Sequence, residues 1–191
     1  MQFYIGQTFD GMYPPEAAAW CNANNAHVEK VDGVRTIVEN AKPIPTKAEL
    51  AEFLYQEKCK VAYDRVTVIK GGEEYLFETN RDSITMCNSM ALAMASQPDD
   101  YTVVWKVWTA DVPIMLTITK AEFNAIFAFG MLMINTAFGV EGALNAEVQK
   151  MTEEQLADAE YVTAFKENVV VQFAAVNTVL SLDPEETETE E

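Results

Sequence analysis

The stretch that decides the fold runs from Tyr101 to Met151 and begins Tyr-Thr-Val-Val-Trp-Lys-Val-Trp-Thr. Ala-Asp at 110–111 separates this segment from Val-Pro-Ile-Met-Leu-Thr-Ile, and Thr-Lys-Ala-Glu at 119–122 then opens a long apolar segment. Two apolar, β-branched runs around a short turn predict a β-hairpin. Thr119 with Glu122 matches the capping box that begins a helix, so the hairpin leads directly into a helix of roughly thirty residues.

This long helix is apolar almost all round between Ala125 and Ile134, and such a helix needs cover on several faces. A membrane span needs roughly 20 apolar residues, whereas this unbroken run has ten, between Asn124 and Asn135. The sequence therefore predicts a buried helix and no membrane span. Because a chain of 191 residues has limited material for that cover, self-association through this helix or the following one is an alternative to burial within the chain.

A proline-rich linker at residues 41–45 divides the chain, because Pro43 and Pro45 stiffen the backbone and block a helix. Residues 1–40 predict a small ββα unit. Its elements are a strand at Gln2–Ile5, a helix over Glu16–Asn25, and a hairpin of Ala26–Lys30 with Val34–Glu39 around Asp32-Gly33.

Residues 46–182 predict a main α+β domain, and its first helix is marked by a second capping box at Thr46 and Glu49. The further elements are a hairpin of Arg65–Lys70 with Glu73–Thr79 around Gly71-Gly72, a helix over Arg81–Ser96, and a final helix from Glu154 to Leu182. The fold class is therefore α+β: a small ββα unit, then helices packed with two β-hairpins and long C-terminal helices. Residues 183–191 hold six acidic residues in nine and predict a disordered acidic tail.

The formal net charge of −17 argues against binding to nucleic acid or to anionic membranes, since both need a basic surface. A basic protein partner for the acidic tail is an alternative to a purely solubilising role. Three widely spaced cysteines predict reduced thiols in a reducing cytoplasm, with neither a disulfide framework nor a zinc site.

Candidate catalytic and metal-binding residues are few. His27 is the single histidine, and no nucleophile signature accompanies it, so a structural or surface role is expected. Asp99, Asp100 and Asp111 match no calcium loop. Gly71-Gly72 is followed by a strand, which indicates a turn and not a phosphate loop. We therefore expect no catalytic residues, no cofactor, no metal and no enzymatic activity.

The candidate interaction surface consists of apolar residues on the two long C-terminal helices. Met86, Met90 and Met94 repeat at helical spacing and are interpreted as core, with an adaptable binding face as the alternative. The predicted surface residues are Phe123, Ile126, Phe127, Met131, Ile134, Phe138, Phe165, Val169 and Phe173.

Residues 61–151 resemble a phage domain of unknown function found in tail-fibre-associated proteins. The resemblance rests on Trp105-Lys106, the turn at Asp111, Leu116-Thr-Ile-Thr119, Lys-Ala-Glu-Phe123 and Ala143-Leu144. Tyr13-Pro-Pro-Glu-Ala-Ala-Ala-Trp-Cys-Asn22, within residues 1–42, is similar to the N-terminal unit of uncharacterised gut siphophage proteins.

The resemblance implies a structural or accessory component of a bacteriophage tail or tail fibre, located in the virion after assembly in the host cytoplasm. Its expected partners are other tail or fibre proteins. A homo-oligomer is a further possibility, which rests on the apolar helices and not on the resemblance. The alternative is an acidic assembly chaperone that the virion does not retain.

Overall fold

The structure is a computed structural model that describes residues 2–41 and 43–183. The chain is an α+β protein that divides into two compact units, Met1–Ile44 and Pro45–Glu191. The division falls within the predicted linker. Each unit has a hydrophobic core of its own.

The first unit is a three-stranded antiparallel sheet with one helix, α1 (Pro15–Ala23). Its strands β1 (Thr8–Phe9), β2 (Ala26–Val31) and β3 (Val34–Glu39) lie in the order β1-β3-β2. Asp32 and Gly33, with φ of 50° and 90°, form the tight turn that the sequence predicted.

The predicted strand at Gln2–Ile5 is wrong, because the strand that pairs with β3 is β1 at Thr8–Phe9. Gly6 explains the shift: it has a φ of 86°, which interrupts extended backbone, and its N–H donates to the carbonyl of Ile37 at 2.7 Å. The segment before it contributes the buried Phe3 to the core, together with Ala17, Cys21, Ala26 and Ile37.

The second unit contains one five-stranded sheet in the order β7-β6-β5-β4-β8. Its strands are β4 (Arg65–Lys70), β5 (Glu73–Glu78), β6 (Thr102–Thr109), β7 (Val112–Thr119) and β8 (Val179–Ser181). β4–β5 and β6–β7 are the two predicted hairpins, and they meet at the pair Leu76–Trp108.

Among residues 45–183, this unit has five helices: α2 (Lys47–Ala62), α3 (Arg81–Met94), α4 (Lys120–Lys150), α5 (Glu153–Ala157) and α6 (Ala159–Ala174). The capping boxes predicted at Thr46 and Thr119 are both present, and they begin α2 and α4. α4 packs against α2, α6, β7 and α3, and it supplies Phe123, Ile126, Met133 and Val148 to the core.

The predicted final helix over residues 154–182 is wrong, because the chain breaks it twice. Asp158 leaves the helical conformation, with ψ of 105°, and its carboxylate accepts hydrogen bonds from the N–H groups of Glu160 and Tyr161, which begins α6. After α6 the Asn177 side chain accepts a hydrogen bond from the N–H of Val179 and turns the chain into β8, which runs parallel to β4.

Asp183 also departs from the sequence prediction, which assigned it to a disordered tail. Its carboxylate accepts hydrogen bonds from the N–H groups of Gly71, at 2.5 Å, and Gly72, at 2.9 Å, in the β4–β5 turn. The remainder of the predicted tail, residues 184–191, lies outside the described residues.

Candidate interaction surface

The predicted interaction surface on the C-terminal helices lies mostly in the core of the second unit. Phe127 and Met131 are partly buried and pack against that core, and only Phe138 is exposed, at 43%. The buried members are Phe123, Ile126, Ile134, Phe165, Val169 and Phe173. The prediction is wrong for these six, because their faces of α4 and α6 pack within the unit, where α4 and α6 both contact α2.

α4 is long and apolar enough to cross a membrane by length and composition alone, and 33% of its most apolar stretch is buried in the fold. The count of ten unbroken apolar residues understated this apolar length, since Asn135 and Thr136 interrupt the run without ending the apolar character of the helix. The core helix of a folded domain has the same composition. The absence of a membrane span stays a prediction.

An apolar groove lies between α3 and the β6–β7 hairpin. It consists of two adjoining cavities of about 340 and 380 Å³, which share Met86, Met90 and Trp105. The other lining residues that matter to its chemistry are Ala93, Val104, Lys106 and Met115. We call these seven residues the methionine groove.

Several apolar side chains of the methionine groove are open to water. Met86 is 62% exposed, Val104 59% and Met115 65%. Single exposed apolar residues are ordinary on protein surfaces, whereas a contiguous apolar patch indicates a binding surface. Methionine is unbranched and polarizable, so a groove lined with it adapts to partner side chains of different shapes.

Glu78 holds the two walls of the groove together at one end. Its carboxylate accepts a hydrogen bond from Trp108 Nε1 at 2.8 Å on β6 and one from Ser83 Oγ at 3.3 Å on α3. Asn80 caps α3 by accepting a hydrogen bond from the N–H of Ser83 at 2.9 Å. These bonds connect α3 to the sheet beside the apolar lining.

Trp105, which lines the groove, is held in place by a residue of the core. Trp105 packs edge-to-face against Phe123 of α4, with 5.3 Å between the ring centroids. Because Phe123 is buried, the Trp105 ring is supported by the core on one side and lines the groove with the other. The groove thus combines Trp105, which is backed by the core, with the exposed methionines Met86 of α3 and Met115 of β7.

The sequence did not predict this groove. Residues at helical spacing share one face of a helix, but the spacing does not tell which turns of that face are covered by other elements. Of the methionines interpreted as core on α3, Met94 is buried, Met90 is partly buried and Met86 is exposed. A usable signal was present in the hairpin. Val104 and Met115 occupy the sheet face opposite to the core-facing Trp105, where polar residues are expected.

The residues considered for chemistry are dispersed. The His27 side chain is exposed and lies near Asn40, at 2.7 Å, and Glu29, at 3.3 Å. Burial raises the pKa of the Cys87 thiol to about 11, which keeps it protonated at neutral pH and makes it a poor nucleophile. No three His, Cys, Asp or Glu residues in ranges 2–41 and 43–183 are grouped to hold a metal ion.

Comparison with protein-family models, curated proteins and solved structures finds no match to this chain. The fold and the groove define an α+β protein with an exposed apolar surface. The resemblance of residues 61–151 to a phage domain stays an expectation.

Proposed function

We propose that this chain is a non-enzymatic protein that acts by binding other proteins, as a structural or accessory component of a bacteriophage tail or tail fibre. The observation that supports a binding role is the methionine groove, in which three apolar side chains, Met86, Val104 and Met115, are more than half exposed. The tail setting is supported by the family resemblance alone, which also implies location in the virion tail after assembly in the host cytoplasm.

The expected partner of the groove presents an apolar side chain on an otherwise neutral or basic segment. The apolar residues of the groove would bury the apolar side chain of such a segment. The net charge of −17 favours approach of a basic surface and disfavours an acidic one. Other tail or fibre proteins are the partners that this proposal names.

The binding role is tested with a photo-crosslinking amino acid placed at position 86 during phage production in the host. We expect a crosslink to a tail or fibre protein, identified by mass spectrometry, and its loss when Met90→Glu introduces a charge into the groove. The matched control carries the crosslinker at Leu92, which is 79% exposed on the same helix but does not line the groove. Equal crosslinking from both positions would contradict a role for the groove.

The tail setting has its own test, which is mass spectrometry of purified virions. A structural or accessory component is expected at a fixed copy number relative to the other tail proteins. Virions that lack the protein would overturn the proposed location in the tail. The binding role would then be judged by the crosslinking result alone.

The second candidate function is an assembly chaperone for tail or fibre proteins. The adaptable methionine lining and the strongly acidic charge favour it, since both suit transient cover of another protein's apolar surface. Co-expression with a fibre protein that is insoluble alone should raise the soluble fraction of that protein. Absence from virions together with this gain in solubility would select the chaperone.

A further inference from the structure

The free edge of β7 is a second exposed feature, which adjoins the methionine groove at Met115. β7 is the last strand of its sheet, and within residues 2–41 and 43–183 it pairs only with β6, in an unbroken register of eight pairs. Natural sheets protect such edges with charged residues, bulges, prolines or short strands. The sequence of β7, VPIMLTIT, has no charged residue, and Pro113 is its only protective residue.

The register shows which backbone groups of β7 point away from β6. The two-residue turn makes Thr109 and Val112 the closing pair, and hydrogen-bonded pairs then alternate along the hairpin. The N–H of Lys120 donates to the carbonyl of Tyr101 at 2.7 Å and continues the same alternation. Even-numbered residues of β7 therefore face β6, and residues 113, 115, 117 and 119 face outward.

Some of these outward groups already have partners. The N–H of Thr119 donates to the Glu122 carboxylate at 2.8 Å, and the ammonium of Lys70 lies 3.4 Å from the carbonyl oxygen of Thr117. Pro113 has no N–H. The outward groups left for another strand, among the described residues, are the N–H groups of Met115 and Thr117 and the carbonyls of Pro113 and Met115.

This set of groups is complementary to itself. In an antiparallel pair centred on Met115, each Met115 N–H meets the Met115 carbonyl of the other copy, and each Thr117 N–H meets a Pro113 carbonyl. The Thr117 carbonyl would face Pro113, which has no N–H to offer, and it already has Lys70 nearby. We propose that β7 pairs antiparallel with β7 of a second copy of this chain, with the two-fold axis at Met115.

The charge around β7 is compatible with this pairing despite the net charge of −17. β7 is uncharged, and the residue paired with Met115 on β6 is Lys106. At the other end of the strand, Lys70 and Glu122 neutralise each other in an ion pair of 2.8 Å. Long-range repulsion between two acidic copies is screened at moderate ionic strength. The dimer should therefore become stronger as salt is added. One pair of eight-residue strands is a small interface, so we expect a dissociation constant on the order of 10 µM.

The test measures the mass of the full chain by sedimentation equilibrium, for wild type, Met115→Glu and Met115→Lys. Since Met115 faces its own copy across the axis, either charge should weaken the dimer at least about tenfold, and an equimolar mixture of the two variants should restore it. Matched controls are Leu92→Glu and Leu92→Lys, at a position on α3 that is 79% exposed against 65% at Met115 and does not line the groove that contains Met115. Both controls should dimerise as wild type does.

A second measurement applies even if a charged variant folds poorly. Residues facing each other in a hydrogen-bonded pair have Cα atoms roughly 5.5 Å apart, which a disulfide can span. Met115→Cys should therefore oxidise to a covalent dimer at least about ten times faster than Leu92→Cys. Equal rates would overturn the pairing, as would a monomeric wild type at about 200 µM protein in about 0.5 M salt. A dimer that both Met115 charge variants retain would place the interface elsewhere.

Discussion

Lys58 is a nearly buried charge that connects two helices. Its side chain is 3% exposed, and its ammonium lies 2.9 Å from the carboxylate of Glu141 on α4. The ammonium also lies 4.3 Å from the ring centroid of Tyr55 and 4.2 Å from that of Phe138. A buried charge is costly unless it is paired, and aromatic faces add to the compensation.

Replacing Lys58 by alanine should lower the free energy of unfolding by about 2–4 kcal/mol, because Glu141 loses its partner and the two rings lose a contact. Lys58→Met should cost less than the alanine change, since it keeps most of the apolar stem and Glu141, 22% exposed, can rehydrate. Urea unfolding followed by tryptophan fluorescence measures both.

The control is Lys150→Ala, at an exposed position in the last turn of α4, which should cost less than about 1 kcal/mol. A cost for Lys58→Ala no larger than that of the control would show that the pair with Glu141 contributes nothing. In the sequence, Lys58 occupies the same four-residue spacing as Leu50, Leu54 and Ala62, all buried. A lysine within an apolar stripe was thus a visible signal for a buried charge, although its partner, 83 positions away, was not.

At the scale of elements, β8 depends on a distant part of the sequence. It pairs with β4 through only three residue pairs. The Thr178 carbonyl accepts from the N–H of Thr67 at 2.7 Å before the strand, and the Leu182 N–H donates to the Ile69 carbonyl at 2.8 Å after it. Beyond these, Asp183 binds the amides of the β4–β5 turn and fixes the end of β8.

The hydrogen bonds that the Asp183 carboxylate accepts from the two glycine amides make the free energy of unfolding depend on pH. Hydrogen bonds from the Gly72 and Gly71 amides hold the pKa of Asp183 below its usual value. A pKa lowered by folding stabilises the chain above the unfolded value, about 3.9 for aspartate, and this contribution is lost as the pH falls through the folded value. Wild type should therefore be more stable than Asp183→Asn at pH 7, with the difference vanishing in acid.

Urea unfolding of both proteins between about pH 3 and 7 tests this expectation. Asp100→Asn, at an exposed position, serves as the control and should show no such pH-dependent difference. A difference in the free energy of unfolding between wild type and Asp183→Asn that stays constant over the whole pH range would contradict a stabilising role for the ionised Asp183 carboxylate.

Elements whose signals are local could be predicted, and those that depend on distant partners could not. The capping boxes at Thr46 and Thr119 and the Gly71-Gly72 turn are each encoded within four residues. β8 was missed because the apolar spacing of α6 continues through Val176 and Val179, while the strand that makes it extended, β4, lies far away in the sequence. The methionine groove escaped for the same reason, since α3 and β7 become its walls only after folding.

At the scale of the whole molecule, the first unit rests on a small core centred on Ile37, which is fully buried. Ile37→Ala should destabilise this unit by about 2–4 kcal/mol, because it leaves a cavity among few neighbours. Hydrogen exchange followed by mass spectrometry should show faster exchange in residues 2–41, with residues 45–183 changed much less.

The matching control, Leu54→Ala in the core of the second unit, should give the reverse pattern. Equal acceleration in both units from either substitution would show that they unfold together. The linker between the units was predictable from Pro43 and Pro45, because each proline restricts its own backbone and that of the residue before it. The extra strand β1 was not, because two residues carry too little pattern.

The position of β8 at the end of the described chain has a consequence during protein synthesis. β4 is synthesised roughly a hundred residues before β8, the strand that pairs with it. At about 5–20 residues per second, the edge of β4 therefore stays unpaired for roughly 5–20 s. During that interval the nascent chain exposes strand edges on both sides of the growing sheet, at β4 and at β7. Neighbouring nascent chains on one messenger RNA could pair through either edge, so the time at which the ribosome delivers residues 179–183 decides how long the β4 edge stays open to them.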